Sequence, residues 1–210
     1  MDHVVLPGVF HPRSDTWMLR DHLLEEGIRG ARVLEVCTGP GAIALAAARE
    51  GARVTAIDIG WLAVLSARIN AARARLDVEV LRGDLFEPVA GRRFDVIVSN
   101  PPYVPSERSR RPRLAPSRAW DGGPDGREVM DRLIADLPDH LLPGGRCLLV
   151  HSSLNDAERT LEALARVGLR PEVVERRGGP LGPLMKQWTE TQEEGPEEED
   201  LVVVRGEAAA

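Results

Sequence analysis

Between Arg32 and Ser99 the chain alternates between two hydrophobic rhythms. The short aliphatic and β-branched runs Arg32–Val36, Arg53–Ile57, Val78–Leu81 and Phe94–Ser99 read as strands. The alanine-rich stretches Ala42–Glu50 and Trp61–Ala74 between them read as helices. This βα alternation predicts a parallel sheet with helices on both faces, whose ligands bind outside the carboxyl ends of the strands. Upstream, Pro12-Arg13-Ser14-Asp15-Thr16 supplies capping side chains for a helix that runs to Glu26 and stops at Gly27. Downstream, the pattern predicts a helix over Gly126–His140, a turn at Pro143-Gly144-Gly145, a buried strand at Arg146–Val150 and a helix at Asp156–Val167 closed by Gly168. Glu172–Glu175 and Leu201–Val204 then read as an antiparallel hairpin on the sheet edge, with the acidic run Glu193–Asp200 in its solvated loop.

With 210 residues, 43% hydrophobic and 29% charged, the chain can bury one sizeable core. We expect a single domain over 1–210, a helical lead-in at 1–30 followed by a catalytic core at 31–210. No run approaches the roughly 20 apolar residues of a membrane span, and Met1-Asp2-His3 does not begin a signal peptide, so a cytoplasmic protein with no membrane partner is expected. Cys37 and Cys147 share no CxxC or Cys/His spacing, and none of the five histidines shows metal spacing, so neither a disulfide nor a metal site is expected. A net charge of −6 argues against a broad basic face for nucleic acid. One local exception is the proline- and arginine-rich loop at 107–118, which carries Arg108, Arg110, Arg111, Arg113 and Arg118. It offers positive charge to phosphates or to an acidic protein face, and a solvated loop accounts for it equally well.

The first strand ends in Glu35-Val36-Cys37-Thr38-Gly39-Pro40-Gly41, immediately before a helix. Glycines there let the backbone turn sharply and approach a ligand, while the helix start offers unpaired N–H groups. The spacing Gly39-x-Gly41-x-x-Ala44 also fits a dinucleotide fingerprint. Asp58, followed by Ile59, ends the second strand where an acid can accept from ribose hydroxyls of NAD or of an adenosyl group. Glu35 tilts the balance, because a carboxylate at the first strand's end repels a pyrophosphate but suits the cationic sulfonium of S-adenosylmethionine. Asp84, in Gly83-Asp84-Leu85-Phe86, adds a third acid placed to accept from an adenine amino group.

The fourth strand runs into Asn100-Pro101-Pro102-Tyr103. Two prolines cannot continue a central strand, so the chain leaves the sheet rigidly beside the proposed cleft. A planar –NH2 acceptor has a delocalised lone pair that must be presented to the methyl donor. The Asn100 side-chain carbonyl and the Pro101 main-chain carbonyl can accept its two N–H hydrogens, and Tyr103 can stack on the flat group.

With these motifs in sequence, the chain resembles class I S-adenosylmethionine-dependent methyltransferases of the HemK/PrmC type. The resemblance also covers Ala119-Trp120-Asp121-Gly122-Gly123-Pro124-Asp125-Gly126-Arg127-Glu128, which is similar to the family's Gly-Gly-x-x-Gly segment and closest to that of its short, single-domain branch. It implies a Rossmann-like, mostly parallel seven-stranded sheet with a C-terminal antiparallel hairpin, and N-methylation of a glutamine side chain in a protein such as a translation release factor. Asn100, Pro101, Pro102 and Tyr103 would then be the catalytic motif. The cofactor would be held by Glu35, Cys37, Thr38, Gly39, Gly41, Asp58, Ile59, Asp84, Leu85 and Asn100. Thr16 joins this set only through the resemblance, since Pro-x-x-Asp-Thr contacts the cofactor in the short branch. Cys37 departs from the family's usual glycine, as a small hydrophobe or as a thiol beside the cofactor. Short-branch relatives also imply a small activator subunit.

The motif reads nitrogen geometry, so an adenine or cytosine amino methyltransferase and a small-molecule N-methyltransferase stay open, as does a catalytically idle binding module. Trp17, Trp61, Trp120 and Trp188 read as packing residues, with Trp120 able to shape the acceptor pocket.

Overall fold

A computed structural model describes residues 3–106, 119–191 and 195–209. The strands β1 (Arg32–Val36), β2 (Arg53–Asp58), β3 (Val78–Arg82), β4 (Phe94–Ser99), β5 (Leu141–Ser152), β6 (Arg170–Pro180) and β7 (Glu198–Glu207) form one sheet in the order β3-β2-β1-β4-β5-β7-β6. Neighbours from β3 to β5 pair in parallel, and β7 runs antiparallel between β5 and β6. The C-terminal pair is thus the expected hairpin, with its second strand inserted inward. Chain order reverses between β1 and β4, which opens a crevice at their carboxyl ends.

Helices α1 (Ser14–Glu25), α2 (Ala42–Arg49) and α3 (Trp61–Ala74) cover one face, and α4 (Glu128–His140) and α5 (Ala157–Arg166) cover the other. The period-2 alternation of the strands divides the core accordingly. Val33, Val96, Val98, Leu148 and Val150 pack with Met18, Leu19, Ile43 and Ala67, whereas Leu34, Val36, Ile97 and Leu149 pack with Met130, Leu133 and Leu164.

The structure corrects several details of the sequence reading. Pro143-Gly144-Gly145 does not end an element but bulges within β5, where the register jumps from Phe94↔Leu141 to Val96↔Arg146. A side chain at Gly145 would collide with the Leu142 carbonyl 2.8 Å away, so only bare backbone closes the bulge. A sixth helix, α6 (Pro183–Thr189), fills part of the connection expected to be loop, and begins at Gly182-Pro183, where proline suits a first helical position. The acidic run is not wholly solvated: Glu198, Glu199 and Asp200 belong to β7, and strand alternation turns Glu199 inward to 7% exposure. The arginine loop at 107–118 and Glu193 lie outside the described residues. Among the described residues no helix is long and apolar enough to cross a membrane.

Candidate active site

The carboxyl ends of β1, β2, β3 and β4 open into a cavity of about 570 Å³. Its lining includes Thr16, Glu35, Cys37, Thr38, Gly39, Asp58, Ile59, Asp84, Leu85 and Asn100-Pro101-Pro102-Tyr103, so nearly the whole predicted set converges. Gly41 is the exception. It caps α2 from beneath with φ 84°, and a Cβ there would lie 3.2 Å from the Ala67 Cβ, so this glycine serves close packing of α2 on α3.

Glu35 is buried at the end of β1, and its Oε2 accepts from the Thr38 hydroxyl at 2.5 Å and the Ala44 N–H at 2.8 Å. Burial pushes its carboxyl up to about 8 against the downward pull of those bonds. The Asp58 carboxylate joins two loops, accepting from Gly39 N–H at 2.9 Å and from Gly60 N–H at 2.8 Å. Asp84 pairs with Arg132 of α4 at 2.9 Å, so one of its oxygens is already engaged. Cys37 is half-buried with φ 62°, the left-handed region that favours glycine, and it packs partly on the core while lining the cavity.

At the end of β4 the Asn100 Nδ2 donates to the Thr16 Oγ1 at 3.2 Å. That bond engages the NH2 of the amide and leaves Oδ1 as its acceptor atom. The Tyr103 hydroxyl donates to Asp15 Oδ2 at 2.8 Å, and burial together with the Asp15 charge raises its pKa well above 10.0, so the phenol stays protonated. Asp15 also accepts from the Thr16 N–H and hydroxyl. The start of α1 thus holds both Asn100 and Tyr103 through adjacent residues, and the Pro-x-x-Asp-Thr segment owes as much to Asp15 as to Thr16.

A second tier of contacts fixes the Tyr103 backbone. Asn155 Nδ2 donates to the Tyr103 carbonyl at 2.8 Å, and Gly126 packs so tightly there that a Cβ would come within 2.3 Å of that oxygen. Arg127, 1% exposed, donates to the Asn155 and Asp156 carbonyls and to Thr160 while pairing with Asp131 at 2.8 Å. The Gly-Gly-x-x-Gly segment therefore braces the Asn-Pro-Pro-Tyr corner. Asp121 closes its other end, accepting from Ser106 and Gly123.

Sequence reasoning missed Asp15, Asn155, Arg127 and the wall formed by Gly178–Pro180, Gly182–Met185 and Glu199. It also treated Trp61 as a packing residue, whereas Trp61 is 56% exposed at the cavity rim. Trp120 does line the cavity. Among the described residues no cluster of His, Cys, Asp or Glu could hold a metal ion.

A reversed-order parallel sheet with one antiparallel strand next to its edge, a glycine loop after β1 and acids at successive strand ends define a class I methyltransferase. Residues 3–113 match the family described as Methyltransferase small domain. A Methanocaldococcus jannaschii protein whose name proposes an N5-glutamine methyltransferase is 36% identical over 180 residues, 85% of this chain and 90% of that one. The chain belongs to this family, the protein-glutamine methyltransferases of the HemK/PrmC type. The release factor glutamine methyltransferase of Geobacter sulfurreducens is 36% identical over 80% of this chain, which spans 61% of that enzyme. Among solved structures, the Encephalitozoon cuniculi Mtq2–Trm112 complex, responsible for methylation of the eRF1 translation termination factor, superposes with a TM-score of 0.70 at 25% identity, covering 96% of this chain and 99% of that one.

Proposed function

We propose that this protein transfers the methyl group of S-adenosylmethionine to the side-chain amide nitrogen of a glutamine in a translation release factor. The observation that carries the reading is the Asn100–Thr16 hydrogen bond, which sets the amide so that its carbonyl, rather than its NH2, can receive a substrate N–H. An acceptor that presents a planar –NH2 needs such a group, and the names of the relatives favour glutamine over a base amino group.

The cavity fits the cofactor by charge. Glu35, Asp58, Asp84, Asp15 and Glu199 outnumber Arg13, Arg82 and Arg177 among its lining residues, and the burial-raised carboxyl of Glu35 is a group that a cation would ionise. When bound, S-adenosylmethionine supplies an electrophilic methyl on a positively charged sulfur. Glu35, Thr38, Gly39 and the Cys37 turn would hold its amino-acid end. Asp58, Ile59, Asp84 and Leu85 would hold the nucleoside, and Thr16 would support it through Asn100.

On the acceptor side, Asn100 Oδ1 and the Pro101 carbonyl take the two amide hydrogens and hold the nitrogen in one orientation. The Tyr103 ring, fixed by Asp15 and Asn155, presses on the flat amide. Rate then comes from alignment and from exclusion of water, with no base required to ionise the amide before transfer. A small activator subunit, as in the eRF1-modifying complex, is part of the same proposal.

The test is mass spectrometry of a release factor incubated with S-adenosylmethionine and the protein, with and without such a subunit. One added methyl on the glutamine of its Gly-Gly-Gln segment is expected. Asn100→Ala should lower turnover by at least about a hundredfold, far more steeply than it weakens cofactor binding. Methylation confined to nucleic acid or to small molecules would overturn the glutamine reading.

A further inference from the structure

At the far wall of the same cavity, Glu199 is a buried acid that the proposed transfer leaves without a task. It stands at the start of β7, opposite Gly179 of β6, and is 7% exposed. One carboxylate oxygen, Oε1, accepts from the Gly182 N–H at 2.8 Å and so ties the start of α6 to the sheet. The other, Oε2, is shut off from water and has no hydrogen-bond partner among the described residues. A buried oxygen of this kind costs free energy unless something supplies a donor. Glu199 lines the cavity and lies near enough to the Tyr103 phenol to raise its pKa, which places it on the acceptor side of the site.

The surroundings indicate which donor fits. The wall beside Glu199 is built from Gly178, Gly179, Pro180 and Gly182, and a Cβ at Gly179 would meet nothing within 4 Å. A corner this poor in side chains lets another main chain come close, and no hydrogen bond or ion pair among the described residues ties a neighbouring arginine to Oε2. We infer that Glu199 is a substrate-recognition residue whose Oε2 accepts a backbone N–H flanking the methylated glutamine once the Gly178–Gly182 corner yields. Asn100 reads the side-chain amide and Glu199 reads the adjoining peptide, so free glutamine or a base amino group would satisfy only the first. This rests on the protein-glutamine reading above.

Glu199→Gln keeps a carbonyl oxygen for Gly182 and replaces the acceptor Oε2 with a donor. Steady-state kinetics on the release factor should show KM raised about ten- to a hundredfold with kcat little changed, the signature of a lost binding contact. Cofactor affinity should change far less than KM for the release factor, and a cooperative melting transition shows that the variant is folded. In the wild type, Gly-Gly-Gln peptides N-methylated in turn at each backbone nitrogen should compete with the release factor, one of them about tenfold less well than the unmodified peptide. That competition does not depend on the variant folding. Unchanged KM in a folded Glu199→Gln, or equal competition by all the peptides, would overturn the inference alone. No methylation of the release factor by the wild type would overturn the glutamine reading and this inference with it.

Discussion

Replacing Glu35 with glutamine isolates what burying this carboxyl costs. It is 3% exposed, and its pKa rises from 4.5 in the unfolded chain to about 8, with burial the main cause and the Asp58 charge adding to it. Over that window the folded state keeps a proton that the unfolded chain has released, so stability falls as pH rises from 4.5 towards 8. The gap is worth about 5 kcal/mol once both states are ionised and about 3 kcal/mol at pH 7. Glutamine has no such proton, and its carbonyl oxygen can take both the Thr38 and Ala44 hydrogen bonds that converge on Oε2. Urea unfolding of both proteins without cofactor, from pH 5 to 8.5, cancels in the difference the titrations that do not couple to Glu35. The advantage of Glu35→Gln should grow by about 4 kcal/mol across that range. Cofactor affinity should run the opposite way. A cation favours the ionised carboxylate, so binding to the wild type should strengthen by up to about tenfold per pH unit below 8 and stay flat in the variant. A stability difference independent of pH would refute the claim that burial keeps Glu35 protonated in the free protein.

Other perturbations report on the acceptor half. Tyr103→Phe removes the phenol's bond to the buried Asp15 and should cost about 1–2 kcal/mol of stability and about tenfold in kcat, read by urea unfolding and methyl-transfer rates. Gly126→Ala places a Cβ 2.2 Å from Asn155 Nδ2 and 2.3 Å from the Tyr103 carbonyl at φ 72°, so transfer should fall more steeply than cofactor affinity. Equal losses in both, by single-turnover rates and calorimetry, would place the strain elsewhere. Thiol labelling should go to Cys37, which lines the cavity, and be slowed by saturating S-adenosylmethionine. Cys147 is fully buried with its thiol pushed up to about 12, and should stay unlabelled in the folded protein.

These tests fall on residues that differ in how far the sequence exposes them. Strands β1, β2 and β4 are legible because both of their faces are buried and each pattern is local, the edge strand β3 shows only a short aliphatic alternation, and the acids at the strand ends follow from strand polarity alone. Asn100 and Tyr103 are legible as a motif, yet what orients them is not. Asp15 lies 88 residues from Tyr103, and Asn155 lies 52 away. No periodicity records such a distance, although a carboxylate inside a helix-capping segment is the one local hint. The hairpin wall was hidden for a different reason. Glu199 sits within a run of acids that in isolation reads as solvated surface, and only the pairing of β7 between β5 and β6 decides which member of the run turns inward. On the proposed reading, the half of the site that would hold the cofactor is written in consecutive residues at strand ends, while the half that would read the substrate is assembled from β4, the start of α1, the turn before α5 and the C-terminal hairpin. Substrate choice would then change through the hairpin without disturbing the glycine loop, since Glu199 and Glu35 belong to separate strands and share no hydrogen-bond partner among the described residues.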